Sequence, residues 1–176
     1  MTHLYQALLG QDWDKLAAVT QRLHSPDPVA LFEGRVDIVR GRNPFATMFA
    51  AILGLPKPGR DLPALVRVSR IDGGELLERW YDGRHFATRQ GRLAGRLTER
   101  FGPFSLAFGL RHDEGELVFD QVGVKLWSLA LPRALWPRIR ARERADGHAH
   151  LFDVALCMPL IGRVVRYQGR LEVAVD

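Results

Sequence analysis

The chain has 176 residues, of which 47% are hydrophobic, and this predicts one globular domain over 1–176 and excludes a disordered chain. Cys157 is the single cysteine, so an intrachain disulfide is excluded and a reducing, cytoplasmic setting is favoured. We expect no signal peptide, because the N-terminal segment lacks a basic region and a long apolar core. No apolar run reaches the ~18 residues of a membrane span, although peripheral contact with the inner membrane stays open.

The chain is basic, with a formal net charge of +5 and a sequence pI of about 10. Only Lys15, Lys57 and Lys125 of its 25 basic residues are lysines, and the arginines are spread along the chain rather than clustered. A GC-rich genome produces this bias without any functional demand. We therefore do not predict nucleic acid as a partner.

The N-terminal segment, about 2–24, has the spacing of helices. Apolar residues recur every three to four positions on either side of Gly10, and the sequence SPDP at 25–28 ends the pattern. From Val29 the hydrophobic period changes to two, with Phe32, Val36 and Ile38 on one face. We predict that the helical segment precedes a sheet that fills about 29–176.

The rest of the chain repeats the strand pattern between turns such as Asp72-Gly73-Gly74, Asp82-Gly83 and Asp146-Gly147. This predicts nine or ten strands in sequential hairpins. The expected fold is mainly β, or α+β when its helices are counted: one strongly curved antiparallel sheet or barrel, since long sheets curl or close.

The segment NPFATMFAAILGLP, 43–56, interrupts the strands with a short apolar helix over about 43–54, inserted between strands 1 and 2. Asn43 is a good N-cap, Pro44 suits the first helical position, and Gly54 and Pro56 end the helix. One face carries large apolar residues and the other carries alanines. The helix plugs the mouth of the sheet, covers a cavity as a lid, or docks on a membrane or a protein.

The lid interpretation supplies candidate ligand-binding residues, which are the large side chains of this helix, aromatic residues of the strands and one carboxylate. They are Phe45, Met48, Phe49, Ile52, Trp80, Phe108, Phe119, Trp127 and Glu143. Glu143 belongs to this set because it alternates with the arginines of one strand and so faces the apolar side, where a carboxylate needs a partner.

Those arginines form a stripe on the other face of the strand: Arg138, Arg140, Arg142 and Arg144. The stripe is a solvated outer face paired with carboxylates of a neighbouring strand, or a site for phosphate-like anions. His148 and His150 point to one side of a strand, but zinc needs a third ligand that the sequence does not name. Recognisable catalytic, phosphate-binding and dinucleotide-binding motifs are absent, so we predict no catalytic residue, metal or cofactor.

Five segments together resemble a bacterial domain family of uncharacterised function: LYQALLG, GRNPFATMFAAILGLP, ERFGPFSLAFGL, VGVKLWSLALPRALWP and LIGRVVRYQGRLE. The resemblance extends from about Leu4 to Glu172. Members often lie C-terminal to saccharopine-dehydrogenase-like oxidoreductases. The resemblance implies no catalytic residues, and it implies a domain that accompanies an enzyme and holds its substrate or partner.

These observations favour a non-catalytic binding module that holds an apolar or amphipathic, lipid-like molecule inside the curved sheet. The alternative is an interaction module that docks the apolar helix, or the segment LWSLALPRALWP, on a membrane or a partner protein. A third interpretation is an enzyme acting on a lipid-like substrate, with Glu143 or Glu99 as acid or base. A lid predicts a cavity of several hundred Å³ beneath it, whereas a docking helix predicts a filled core and an exposed apolar patch.

Overall fold

The computed structural model describes residues 2–174 of the chain. Its α-helices are α1 Leu4–Leu9, α2 Ala18–Leu23 and α3 Pro44–Ile52, and 3-10 turns lie at Gly10–Lys15 and Arg133–Leu135. Its strands are β1 Val29–Arg40, β2 Gly59–Ile71, β3 Gly74–Tyr81, β4 Arg84–Leu93, β5 Arg96–Phe101, β6 Phe104–Asp113, β7 Glu116–Leu126, β8 Leu129–Ala130, β9 Arg138–Asp146, β10 Ala149–Met158 and β11 Gly162–Val173. Over 2–174, no helix is long and apolar enough to cross a bilayer.

Ten of these strands close into an antiparallel barrel. Strands β1 to β7 pair in sequence, β7 pairs with β9, and the ring continues through β10 and β11 back to β1. The two-residue strand β8 pairs only with the end of β7 and stays outside the ring. The predicted curved antiparallel sheet or barrel, behind a helical N-terminal segment, is therefore confirmed.

The closing pair, β1 with β11, depends on glycine. Gly34 faces Leu171 across the two strands, and a Cβ atom at Gly34 would overlap the carbonyl oxygen of Arg170. A second close approach follows at Gly41, where a Cβ atom would overlap the carbonyl oxygen of Arg163. Side chains at either position would push β11 away from the first strand and its continuation.

Since the strands run up and down, their connections alternate between two ends of the barrel. The α3 end contains the connections 41–58, 82–83, 102–103, 127–137 and 159–161. The opposite end contains the turns 72–73, 94–95, 114–115 and 147–148, together with the N-terminal helices. Tyr5, Leu9 and Trp13 are buried there against the inner faces of β5, β6 and β7, so these helices cover the opposite end.

Helix α3 lies between β1 and β2 as predicted, and its N-terminus is capped as predicted: the Asn43 side chain accepts a hydrogen bond of 2.9 Å from the Phe45 amide. The helix packs on β11 through its small face, because Ala46 and Ala50 are fully buried. Its large residues Phe45, Met48 and Ile52 are 61%, 49% and 72% exposed. Alanine lets the helix backbone approach the barrel closely, and this leaves the bulky apolar face towards solvent.

We predict that Ala50→Leu lowers the free energy of unfolding by about 1–3 kcal/mol, because the added carbons have no space between α3 and the barrel. The matched control is Ala51→Leu, since Ala51 is exposed on the same helix. Chemical denaturation of both variants measures the difference. Equal stability of the two variants would show that α3 is not anchored by its alanine face.

Candidate ligand site inside the barrel

The barrel interior contains a cavity of about 100 Å³. Side chains from many strands line it, and they fall into an apolar set and a polar set. The apolar set includes Leu55, Leu77, Phe86, Phe101, Leu106, Phe108, Phe119, Ile139, Ala141, Val154, Leu156 and Val165. The polar set is Tyr5, Arg79, Thr88, Gln90, Glu99, Glu143 and Tyr167. This is the composition of a ligand pocket: mostly apolar, with a few polar groups at fixed positions.

Glu143 contacts two histidines that lie towards the end of the barrel covered by the N-terminal helices. Oε2 of Glu143 is 2.6 Å from Nε2 of His24 and 3.7 Å from Nε2 of His150. Nδ1 of His150 is in turn 3.2 Å from the Thr20 hydroxyl. Both histidines are buried and neither lines the cavity, so they orient Glu143 from behind while the carboxylate reaches the cavity wall.

Burial by itself raises the pKa of the Glu143 carboxyl, but His24, His150 and Arg79 outweigh burial and bring the pKa below its ordinary value. Glu143 is therefore an anion at neutral pH, and His24 donates its Nε2 proton to it. Burial lowers the pKa of His150 to about 4, although Glu143 opposes this shift. His150 is consequently a neutral imidazole at neutral pH.

Tyr5 separates His24 from the cavity. Its ring stacks on the His24 ring with 3.7 Å between centroids, and its hydroxyl donates a 3.1 Å hydrogen bond to Oε1 of Gln90. Burial raises the pKa of Tyr5 well above its ordinary value, so the hydroxyl keeps its proton. A residue of the short helix α1 thus forms part of the cavity wall.

Arg79 is the cation of the cavity. Burial lowers its pKa, but nearby tyrosines and Glu99 reverse that effect, so the pKa lies above its ordinary value and the guanidinium stays charged. Its ion pair with Glu99 is loose, at 3.5 Å, and Nη1 donates a 3.3 Å hydrogen bond to the Thr88 hydroxyl. The guanidinium also lies 5.1 Å from the Phe86 ring centroid. Long contacts leave its donors able to bind a ligand atom.

Two polar atoms near this wall are buried without a hydrogen-bond partner among residues 2–174: Nδ1 of His24 and Oε2 of Glu75. Burial raises the pKa of Glu75, and the nearby His24 and Arg70 side chains and a backbone hydrogen bond offset this only in part. Neither residue lines the cavity. Of the two residues, His24 contacts both Tyr5 and Glu143 from behind the wall.

The structure brings three of the nine candidate ligand-binding residues to the cavity: Phe108, Phe119 and Glu143. Phe49 packs against the core without lining the cavity. Trp80 lies outside the barrel against Arg67 and His85, with ring centroids of Trp80 and His85 4.6 Å apart. The remaining four are exposed at the α3 end: Phe45, Met48, Ile52 and Trp127.

Sequence reasoning missed most of the polar set, above all Arg79, Gln90 and Tyr167, and it named Glu99 only as a possible acid or base. The period-two alternation of β3 places Arg79 on the same face as Leu77 and Tyr81, and all three point inwards. In ELLERWY, however, each face mixes charged and apolar residues. The hydrophobic pattern therefore does not say which face is inside.

The arginine stripe of β9 lies on the outer face, with all four side chains exposed, and Arg142 pairs with Glu116 of β7 at 3.1 Å. One carboxylate of a neighbouring strand thus contacts the stripe. His148 lies exposed in the β9–β10 turn and His150 is buried, so the two histidines do not form a pair. No cluster of three or more metal-binding side chains occurs among the described residues.

We predict that His150 makes stability fall with acidification. The pKa of His150 is about 4 in the folded protein and 6.5 in the unfolded chain. Its contribution to the stability of the fold is therefore fully present above pH 6.5 and is lost as the pH falls towards 4. Between pH 6.5 and about pH 5 the loss from this residue is about 1.5 kcal/mol.

Denaturant titrations at several pH values measure this slope. His150→Gln, which removes the titrating group, has the shallower slope, whereas the exposed His148→Gln keeps the wild-type slope. An unchanged slope in the His150 variant would contradict the neutral, buried state assigned to the imidazole.

Three solved structures are similar to this chain, and one of them is similar enough to support the fold. A protein of unknown function of the DUF3598 family from Nostoc punctiforme aligns with a TM-score of 0.53 and 9% identity over 90% of this chain, which spans half the length of that protein. A secretary abundant heat soluble (SAHS) protein from Ramazzottius varieornatus aligns at a TM-score of 0.43, with 13% identity over 82% of this chain and 93% of its own. A Mycobacterium tuberculosis protein aligns with a TM-score of 0.46 and 12% identity, over 91% of this chain and 99% of that protein. The first likeness concerns the fold alone, and no argument rests on the other two.

No protein of curated function matches the sequence. The family model for a domain of unknown function, DUF4166, matches residues 16–171. That range includes nine-tenths of the chain and all ten strands of the barrel except the last two residues of β11. This chain belongs to the DUF4166 family.

Proposed function

We propose that the barrel is a non-catalytic module that binds a small amphipathic molecule in its interior. The observation that carries this proposal is the cavity, lined jointly by aromatic side chains and by buried charged groups. Protein interiors are normally packed as densely as organic crystals, and buried charges are costly. A cavity and buried charged groups along the same wall together support a ligand site.

The polar lining favours a neutral head group. Arg79 supplies hydrogen-bond donors on the cavity wall, whereas Glu99 and Glu143 supply acceptors. A carboxylate ligand would add a third anion to the two carboxylates, which face only the one guanidinium of Arg79. A hydroxyl or amide both donates and accepts, so it is compatible with the wall without an added charge.

The volume limits what fits without movement. Drug-sized ligand sites measure about 300–1,000 Å³, and an engineered apolar cavity of about 150 Å³ holds benzene. The cavity here is smaller, at about 100 Å³, and smaller than expected for a lid above a preformed site. It accommodates a head group or a very small molecule, and a longer apolar chain requires the α3 end to move.

The α3 end is the suitable place for that movement. Leu55, which follows α3, lines the cavity, as does Phe101 beside the 102–103 turn. The segment after α3 is held by the Arg40 guanidinium, which donates to the carbonyl oxygens of Leu55 and Pro56. These are part-buried surface contacts, so moving the segment breaks no buried ion pair.

The arrangement supports binding more than turnover. Glu143 reaches the cavity as a carboxylate with a lowered pKa, which excludes it as a general acid at neutral pH. His24 lies behind Tyr5, and neither His24 nor His150 lines the cavity wall, so no imidazole contacts a ligand directly. This supports a role of the polar groups in orienting a ligand rather than in acid–base catalysis.

We predict that Ala141→Phe abolishes ligand binding, because a phenyl ring in place of the inward methyl group fills the cavity. Ala87→Phe is the matched control, since Ala87 is exposed on the outer face of β4. Native mass spectrometry after incubation with a long-chain alcohol, its primary amide and the corresponding fatty acid measures occupancy. Binding by neither wild type nor control would overturn the proposal.

The same panel tests the head group. The alcohol or amide is expected to raise the stability of the wild type by about 2.7 kcal/mol at a concentration of 100 times Kd, with no shift for Ala141→Phe. A fatty acid that binds more tightly than both neutral molecules would contradict the assignment of Arg79, Glu99 and Glu143 to a neutral group.

A further inference from the structure

Exposed apolar residues are concentrated at the α3 end. Within residues 2–174, twelve large apolar side chains are exposed, and eight belong to this end: Val39, Phe45, Met48, Ile52, Trp127, Leu129, Leu135 and Leu160. Several of them are more than half exposed, including Ile52 at 72% and Trp127 at 76%. A soluble surface normally scatters such side chains singly, so their concentration marks an interaction site.

These residues come from segments that adjoin one another. The Asn43 side chain, at the start of α3, donates a hydrogen bond of 3.3 Å to the Ile161 carbonyl, which places α3 beside Leu160. The Trp127 amide donates a 2.7 Å hydrogen bond to the Pro103 carbonyl, which places the β7–β8 turn beside the 102–103 turn. The apolar side chains therefore surround the end of the barrel on separate loops instead of lining one groove.

Charge at the same end is strongly one-sided. The α3-end connections, with the last two residues of each ring strand that meets them, hold ten of the 25 arginines and lysines but one of the 20 acidic residues, Asp82. The basic residues are Arg40, Arg42, Lys57, Arg60, Arg84, Arg100, Lys125, Arg133, Arg138 and Arg163. The rest of the chain carries more acidic than basic residues, so the net charge of +5 arises at this end.

We infer that the α3 end docks on an anionic bilayer surface. Protruding Phe, Trp, Leu and Ile side chains enter the boundary between head groups and acyl chains, while the basic residues lie at the level of the anionic head groups. Each basic residue near such a surface contributes about 1 kcal/mol, and the combination of apolar and basic signals gives stable attachment. An acidic protein partner would match the charge, but apolar anchors spread over separate loops fit a fluid surface better than one rigid groove.

This docking is an activity separate from ligand binding, and it specifies the side from which a ligand would enter the cavity. The cavity-lining residues Leu55 and Phe101 lie at the same end. A docked barrel would open towards the acyl chains, so an amphipathic molecule would move between bilayer and cavity without crossing water. The docking itself needs no ligand and is tested without one.

We predict that the protein cosediments with vesicles of phosphatidylcholine and phosphatidylglycerol, and not with vesicles of phosphatidylcholine alone. The variant Ile52→Ser/Lys57→Glu binds at least about tenfold more weakly. The matched control, Leu93→Ser/Arg92→Glu, changes the net charge equally at the opposite end, where both residues are exposed, and binds like the wild type apart from a small uniform loss.

Trp127 reports insertion. Its fluorescence shifts to the blue on addition of anionic vesicles, and Trp127→Phe removes this shift while sedimentation persists. Equal losses in the two double variants would show non-specific attraction of a basic protein and would overturn the inference. Absence of binding to anionic vesicles would also overturn it, and neither result depends on whether the cavity binds a ligand.

Discussion

Closing ten strands into a ring creates an interior that the rest of the molecule must fill or cover. Barrels of about eight strands are just wide enough for their own inward side chains to fill, and additional strands widen the ring. Here the inward residues leave a cavity of about 100 Å³, and the two ends are covered by segments that are not part of the ring. The helical N-terminal segment and α3 therefore cover the ends that closure leaves open.

The polar groups inside the barrel depend on this closure. Arg79, Glu99 and Glu143 come from β3, β5 and β9, which meet across the interior only when the ring is complete. Each is costly to bury alone, and their partners come from yet other segments, such as His24 at the end of α2. The interior charges thus couple the N-terminal segment to the far strands.

The sequence predicts local structure and hairpin pairing well, because both depend on signals within short segments. Period-two patterns, Asp-Gly turns and the Asn43-Pro44 start of α3 are local signals, and the structure confirms the elements that they predict. The clean alternation of Glu143 with arginines in its strand indicates that Glu143 faces inwards. The strand of Arg79 has no such alternation, and its partner Glu99 lies twenty residues away on another strand, so the sequence does not indicate that Arg79 faces inwards.

The orientation of α3 could not be read from its composition. Its large apolar residues are compatible with a plug, a lid or a docking surface, and the structure fully buries Ala46 and Ala50 instead. Backbone proximity to β11 decided the outcome, and it is visible only in three dimensions, at Gly41 against the Arg163 carbonyl. The same choice that buries the alanines displays Phe45, Met48 and Ile52, so tight packing of α3 and its exposed apolar surface have one cause.

The two ends differ in what it costs to open them. Opening the end covered by the N-terminal helices would separate His24 from Glu143 and Tyr5 from Gln90, and would leave a buried carboxylate without its nearest partner, at about 3–5 kcal/mol. Opening the α3 end displaces alanine contacts, Leu55 and the part-buried hydrogen bonds of Arg40. The buried charges hold one end closed, so under the proposed binding function a ligand would enter through the other end, which is also the basic and apolar end.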